Sequence, residues 1–75
     1  MPDRVNPGEV RIVANGTAHT FPSGTTIAAL IAHFQLIPKT LLVEQNGTAL
    51  HRSEWPTQRV EEGDRIEFIR VVAGG

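Results

Sequence analysis

Few side chains in this sequence have the type and spacing for chemistry. The three histidines, His19, His33 and His51, stand 14 and 18 residues apart, and no local metal-ligand motif has that spacing. No metal site is assigned. Ser53 and Glu54 adjoin, but nothing around them matches a nucleophile elbow, a phosphate-binding glycine loop or a zinc-binding His-Glu helix. Glu61, Glu62 and Asp64 crowd one short stretch around Gly63, which reads as a solvated turn rather than an acid/base pair. There is no cysteine, hence no disulfide, no thiolate ligand and no thiol nucleophile. No catalytic residue is assigned.

One reactive group remains, and it belongs to the main chain. The sequence ends Arg65-Ile-Glu-Phe-Ile-Arg-Val-Val-Ala-Gly-Gly75. Ile66 and Phe68 alternate with Arg65 and Glu67, the period of a half-buried strand. The side chains then shrink through Val72 and Ala73 to Gly74 and Gly75. Glycine has no Cβ, so it can thread a narrow channel and leaves the terminal carboxylate open. From Val71 to Gly75 an extended chain reaches roughly 15 Å, at about 3.3–3.6 Å per residue. That suffices to pass a carboxyl group into another protein's active site. A chain with a fold, no catalytic constellation and a free terminal carboxylate is expected to be acted upon by enzymes.

The rest of the chain must build the body that holds this strand. With 75 residues it makes one domain with a small core. A net charge of -1 gives no pull toward nucleic acid or anionic lipid. No apolar run approaches the ~18 residues of a membrane span, and the N-terminus has no signal-peptide pattern. A cytoplasmic domain is the expectation. The two Asn-Gly-Thr tripeptides fit a glycosylation pattern, but turn chemistry accounts for both.

Residues 1–8, rich in Pro and Gly, read as a mobile leader. Glu9 to Ala14 alternates and Thr17 to Phe21 follows; Asn15-Gly16 between them predicts a type I′ hairpin. Thr25 is the expected N-cap of a helix starting at Thr26. Ile27, Leu30, Ile31 and Phe34 form one apolar stripe, and Pro38 ends the helix near Gln35. Leu41 to Gln45 and Thr48 to Leu50 predict a second hairpin about Asn46-Gly47. Residues 51–57 read as irregular with one helical turn, and Gln58 to Val60 as a short edge strand. Trp55 reads as a lid over one edge of the core. Hairpin, helix, hairpin and final strand make an α+β fold with the helix across one face of a sheet. Ile69 and Val71 fall on the face opposite Ile66 and Phe68. With Val13 and Leu42 they would form an exposed apolar docking face.

These segments carry a family resemblance. Asn15-Gly16, Thr26-Ile27 with Leu30, Val43 through Asn46-Gly47, Arg52-Ser53-Glu54-Trp55, Gly63-Asp64-Arg65-Ile66-Glu67 and Val72-Ala73-Gly74-Gly75 together resemble the small ubiquitin-like sulfur carriers of the ThiS type. The leader departs from the family pattern.

The resemblance implies a β-grasp fold with a mixed sheet: a domain over residues 9–72 and a flexible tail over 73–75. It also implies that Gly75 is the modified residue. A ThiF-type adenylyltransferase would use ATP and Mg²⁺ to adenylate its carboxylate. A cysteine-derived sulfur donor would convert the adenylate to a thiocarboxylate, and a ThiG-type thiazole synthase would take the sulfur for thiamine. ATP and Mg²⁺ would belong to the activating partner, and this chain would bind no cofactor itself. Two other readings stay open: the small subunit of molybdopterin synthase, with the same fold and tail, and a non-covalent β-grasp interaction domain with an idle tail. Arg52 to Trp55 and the short length favour thiamine.

Overall fold

The structure is a computed structural model, and it describes residues 7–71. The strands are β1 (Glu9–Ala14), β2 (Thr17–Pro22), β3 (Leu41–Gln45), β4 (Thr48–Leu50) and β5 (Arg65–Arg70). One helix, α1 (Ile27–His33), stands between the two hairpins. Single 3-10 turns cover Pro38–Thr40 and Arg52–Glu54.

Both hairpins turn on Asn-Gly. Asn15 and Asn46 have φ of 48° and 53°, and Gly16 and Gly47 follow at 84° and 83°, the two positive values a type I′ turn demands. The sheet order is β2-β1-β5-β3-β4. β5 enters the centre, parallel to β1 and antiparallel to β3. This mixed sheet with one helix on a single face is the α+β arrangement expected above.

Helix α1 has seven residues, too few to stand alone in water. It is held by Ile27, Leu30 and Ile31, all buried, each contributing about 1.5–3 kcal/mol relative to exposure. These pack with Val10, Ile12, Phe21, Leu41, Val43 and Ile66 from the inner face of the sheet. The first helical amides are satisfied from the connection before β5. Ile27 N donates to Gln58 O and Ala28 N to Trp55 O, at 2.8 and 3.0 Å.

Four expectations need correction or sharpening. The helix starts one residue later than expected, at Ile27, and its cap is Thr26, whose Oγ1 accepts from Ala29 N at 3.1 Å. Thr25 instead turns its hydroxyl back to Pro22 O. At the other end Phe34 is the C-cap. Gln35 takes φ 57°, and Gln35 N and Leu36 N donate to Ala32 O and Ile31 O. That is a Schellman closure with glutamine in the place glycine usually holds.

Gln58–Val60 does not form an edge strand. It makes one bridge, Thr26 with Arg59, because Val60 N donates to Thr25 O and draws the segment toward the start of the helix. Trp55 is no lid. It is 5% exposed and belongs to the core cluster, with the Arg52 guanidinium 5.5 Å from its ring centre.

Candidate functional site

The end of β5 is where the fold concentrates its means of positioning. Its last residue, Arg70, pairs with Leu41, and Val71 N donates to Thr40 O at 2.7 Å. The expected threading segment, Val72, Ala73, Gly74 and the modified residue Gly75, lies outside the described residues.

Two asparagines fasten this strand, a role that turn chemistry alone did not suggest. Asn15 Oδ1 accepts from Phe68 N at 2.7 Å, and its Nδ2 donates to Phe68 O at 3.2 Å. Asn46 Oδ1 accepts from Arg65 N at 2.8 Å, and Asn46 N donates to Arg65 O. A side-chain amide has one acceptor and one paired donor, as a peptide unit does. Each can therefore continue a ladder past the point where its own strand has turned.

Asp64, read from sequence as part of a solvated turn, is 7% exposed. Its carboxylate accepts from Gln45 Nε2 at 2.7 Å, Glu61 N at 2.8 Å and Asn46 Nδ2 at 2.9 Å. Burial alone would raise its pKa. The hydrogen bonds from Asn46, Glu61 and Gln45 outweigh burial and hold the carboxyl below its ordinary value. Of its neighbours, Glu61 is exposed as the solvated reading expects, while Glu62, also exposed, accepts from Arg11 N at 2.8 Å through Oε1. Asp64 thus anchors the entry to β5.

The outer face of the sheet carries the four residues expected for docking. Val13 is 36% exposed, Leu42 55%, Ile69 42% and Val71 46%. Leu42 sits directly opposite Ile69, so these two share one patch beside Val71. Val13 pairs instead with Arg65. At about 3.3 Å per residue it stands about 13 Å from Ile69 along the sheet, with Glu67 between. The apolar face is a compact group at the end of β5 plus one outlying valine.

The inner face at the same end opens into a cleft of about 540 Å³. Phe34 and Phe68 form its floor, their ring centres 5.9 Å apart. Ile37, 55% exposed, stands at its rim, and Arg70 and His19 lie at the wall. Sequence reading missed this cleft, because Phe34 and Phe68 look like ordinary core positions.

The histidines pack and cap. His19 and His33 both pack on Phe34, each with ring centres 5.0 Å away. His51 caps the 3-10 turn, its N donating to Glu54 Oε1 at 2.7 Å. Among the described residues no three His, Asp or Glu side chains group around a possible metal position. Among them also, no helix is long and apolar enough to cross a membrane.

A five-stranded mixed sheet clasping one helix, with the last strand at its centre, defines the ubiquitin-like β-grasp class. Two structures of a thiamine biosynthesis protein (ThiS) from Geobacter metallireducens share it. The crystal structure superposes with a TM-score of 0.77 at 25% identity, over 88% of this chain and 100% of that one. The solution structure gives 0.69 at 25% identity, over 88% of each. Residues 6–75 match the ThiS family, and the chain belongs to that family. Two curated relatives, each named thiazole synthase, come from Magnetococcus marinus and Paramagnetospirillum magneticum. They are 29% and 26% identical over 66 residues, which is 88% of this chain and 20% of each relative. The chain thus spans about a fifth of the length of the curated relatives it matches.

Proposed function

We propose that this chain is a sulfur carrier for the thiazole moiety of thiamine, and that Gly75 carries the sulfur. The observation that supports this most is the family match across residues 6–75, which takes in the terminal Gly-Gly. The likeness of the chain to part of two thiazole synthases supports a thiazole synthase as the protein that receives the sulfur.

The chemistry follows from the carboxylate. At neutral pH it is a poor electrophile, so it must be activated. A ThiF-like adenylyltransferase joins it to the α-phosphorus of ATP, with Mg²⁺ in the partner's site, and pyrophosphate leaves. A sulfide equivalent from a cysteine-derived donor then attacks the acyl carbon. The C–S bond forms, AMP leaves, and a thiocarboxylate remains. Its sulfur is nucleophilic and ionised near neutral pH, which suits a chain without cysteine. The carrier itself contributes reach and docking; its partners contribute the electrostatic stabilisation that lowers the barriers. Leu42, Ile69 and Val71, exposed beside the exit of the tail, form the surface offered to the activating enzyme.

The test is the intact mass of the full chain after incubation with its activating enzyme, ATP and a sulfur source. The expected product has one oxygen replaced by sulfur, localised to Gly75. An unaltered mass with all components present rejects the carrier reading.

A further inference from the structure

We infer that the cleft on the inner face of β5 is a second docking surface, and that it receives an apolar side chain flanked by a carboxylate on a segment of thiazole synthase. The inference rests on the sulfur-carrier reading and adds to it the surface and its chemistry.

The cleft's volume, about 540 Å³, lies in the ordinary range of binding pockets, roughly 300–1,000 Å³. Its walls are mostly apolar. Ile37, more than half exposed at the rim, and the half-buried rings of Phe34 and Phe68 leave apolar area in contact with water. A small domain can spare little such surface.

Two polar side chains in the walls are committed to the main chain, and His19 packs on Phe34. The Asn15 side-chain amide is bonded to the Phe68 main chain, and Thr40 Oγ1 donates to Ile37 O. Arg70 is different: its guanidinium has no hydrogen-bond or ion-pair partner among the described residues. Among the described residues no acidic side chain lines the cleft. One free guanidinium beside an apolar floor matches an occupant with one anionic group beside an apolar one. Guanidinium prefers a carboxylate, which it can bind through two parallel hydrogen bonds.

Position selects the occupant. Arg70 ends β5, so the cleft lies beside the point where the chain continues toward Gly75. A protein that takes that segment into its own active site must lie against this end of the body. The cleft and the Leu42–Ile69 pair are on opposite faces of β5, so one strand presents two separate surfaces. The relatives that contain a stretch like this chain are named thiazole synthase, which makes that enzyme the partner to test.

The experiment uses the full-length, isotope-labelled chain and purified thiazole synthase from the same organism. Binding is followed by the broadening of backbone amide signals and by a titration of affinity. Broadening is expected at Phe34, Ile37, Phe68 and Arg70. Arg70→Glu and Ile37→Asp are expected to weaken binding about tenfold, the usual scale for breaking one contact of a charged or apolar anchor. Arg70→Lys, which keeps the charge, should recover part of the loss. Both residues are exposed, so thermal unfolding should stay as in the unaltered chain. Equal affinity for Arg70→Glu and the unaltered chain, broadening confined to the Leu42 and Ile69 face, or no binding at all would each overturn the inference. The mass measurement at Gly75 needs no thiazole synthase, so failure of the carrier reading shows separately.

Discussion

The side chain of Asn15 pairs with the main chain of Phe68 as a strand residue would, accepting from its N–H at 2.7 Å and donating to its carbonyl at 3.2 Å. The parallel register runs Val13 with Arg65 and Ala14 with Ile66. There β1 turns away into its hairpin, and Asn15 N makes one last main-chain bond, to Ile66 O at 2.9 Å. The amide side chain then supplies the next rung. Without it, Phe68 would lose its partner on that side, just before the strand reaches Ile69 and Arg70.

Replacing Asn15 by Gly separates the clamp from the turn. Glycine keeps the positive φ of 48° without strain, while both hydrogen bonds to Phe68 vanish. The expected loss is about 1–2 kcal/mol. It should appear as a lower denaturant midpoint at constant slope, with faster hydrogen exchange at the Phe68 amide. Unchanged protection at Phe68 would show that the rung adds nothing.

Asp64→Asn tests the buried carboxylate. Three donors converge on its two oxygens. An amide would turn its own donor toward at least one of them, at a cost of about 1–3 kcal/mol near neutral pH. The pH dependence has a definite sign. The folded-state value is lowered from an unfolded value of about 3.8. Asp64 therefore stabilises the fold fully above that unfolded value, and the contribution fades as pH falls through the lower folded value. The variant should lose that acid-range part of the slope. Denaturant midpoints taken from pH 7 down to pH 2 would reveal it; parallel curves for the two proteins would contradict it.

Ile69→Asp addresses the outer face. The residue is 42% exposed and faces Leu42 across the ladder. Thermal unfolding should shift little, since exposed substitutions commonly change stability by about 0.5 kcal/mol or less. Pyrophosphate release by the activating enzyme should fall about tenfold, as expected for a charge placed in an apolar contact. A variant that folds and is adenylated at the normal rate would remove this face from the activating interface.

Deleting Gly75 should leave the body intact. Among the described residues the buried cluster runs from Val10 to Ile66, and glycine brings no side chain to a core. Thermal unfolding should match the full chain, while thiazole formation in a reconstituted system should be abolished. Full activity of the truncated chain would refute the assignment of Gly75.

Most of the architecture was legible because it rests on local signals. Alternation from Glu9, two Asn-Gly pairs and the stripe Ile27, Leu30, Ile31, Phe34 each name their element directly. The errors fall where two residues offer the same chemistry or where tertiary bonds decide. Thr25 and Thr26 can both cap a helix, and only the bridge to Arg59 shows which one is extended. Asp64 looks like any turn acid, because its three donors come from Gln45, Asn46 and the Glu61 amide, and sequence alone does not bring the first two near. The exposure of Val13, Leu42, Ile69 and Val71 was legible from strand parity. Their split into a patch and an outlier was not, because it depends on the parallel register of β1 and β5. The inner cleft was invisible for a similar reason. It exists only once Phe34, from the helix end, meets Phe68 and Arg70 across the sheet.

The central placement of β5 between β1 and β3 bears on mechanics as well as geometry. A partner that draws in the segment beyond Val71 pulls along the strand axis. That load is shared as shear by hydrogen bonds on both flanks, with the two asparagine side chains adding grip. An edge strand would unzip bond by bond under the same tug. On the proposed carrier reading, a chain built this way would be seized by its end and released repeatedly without its sheet coming apart.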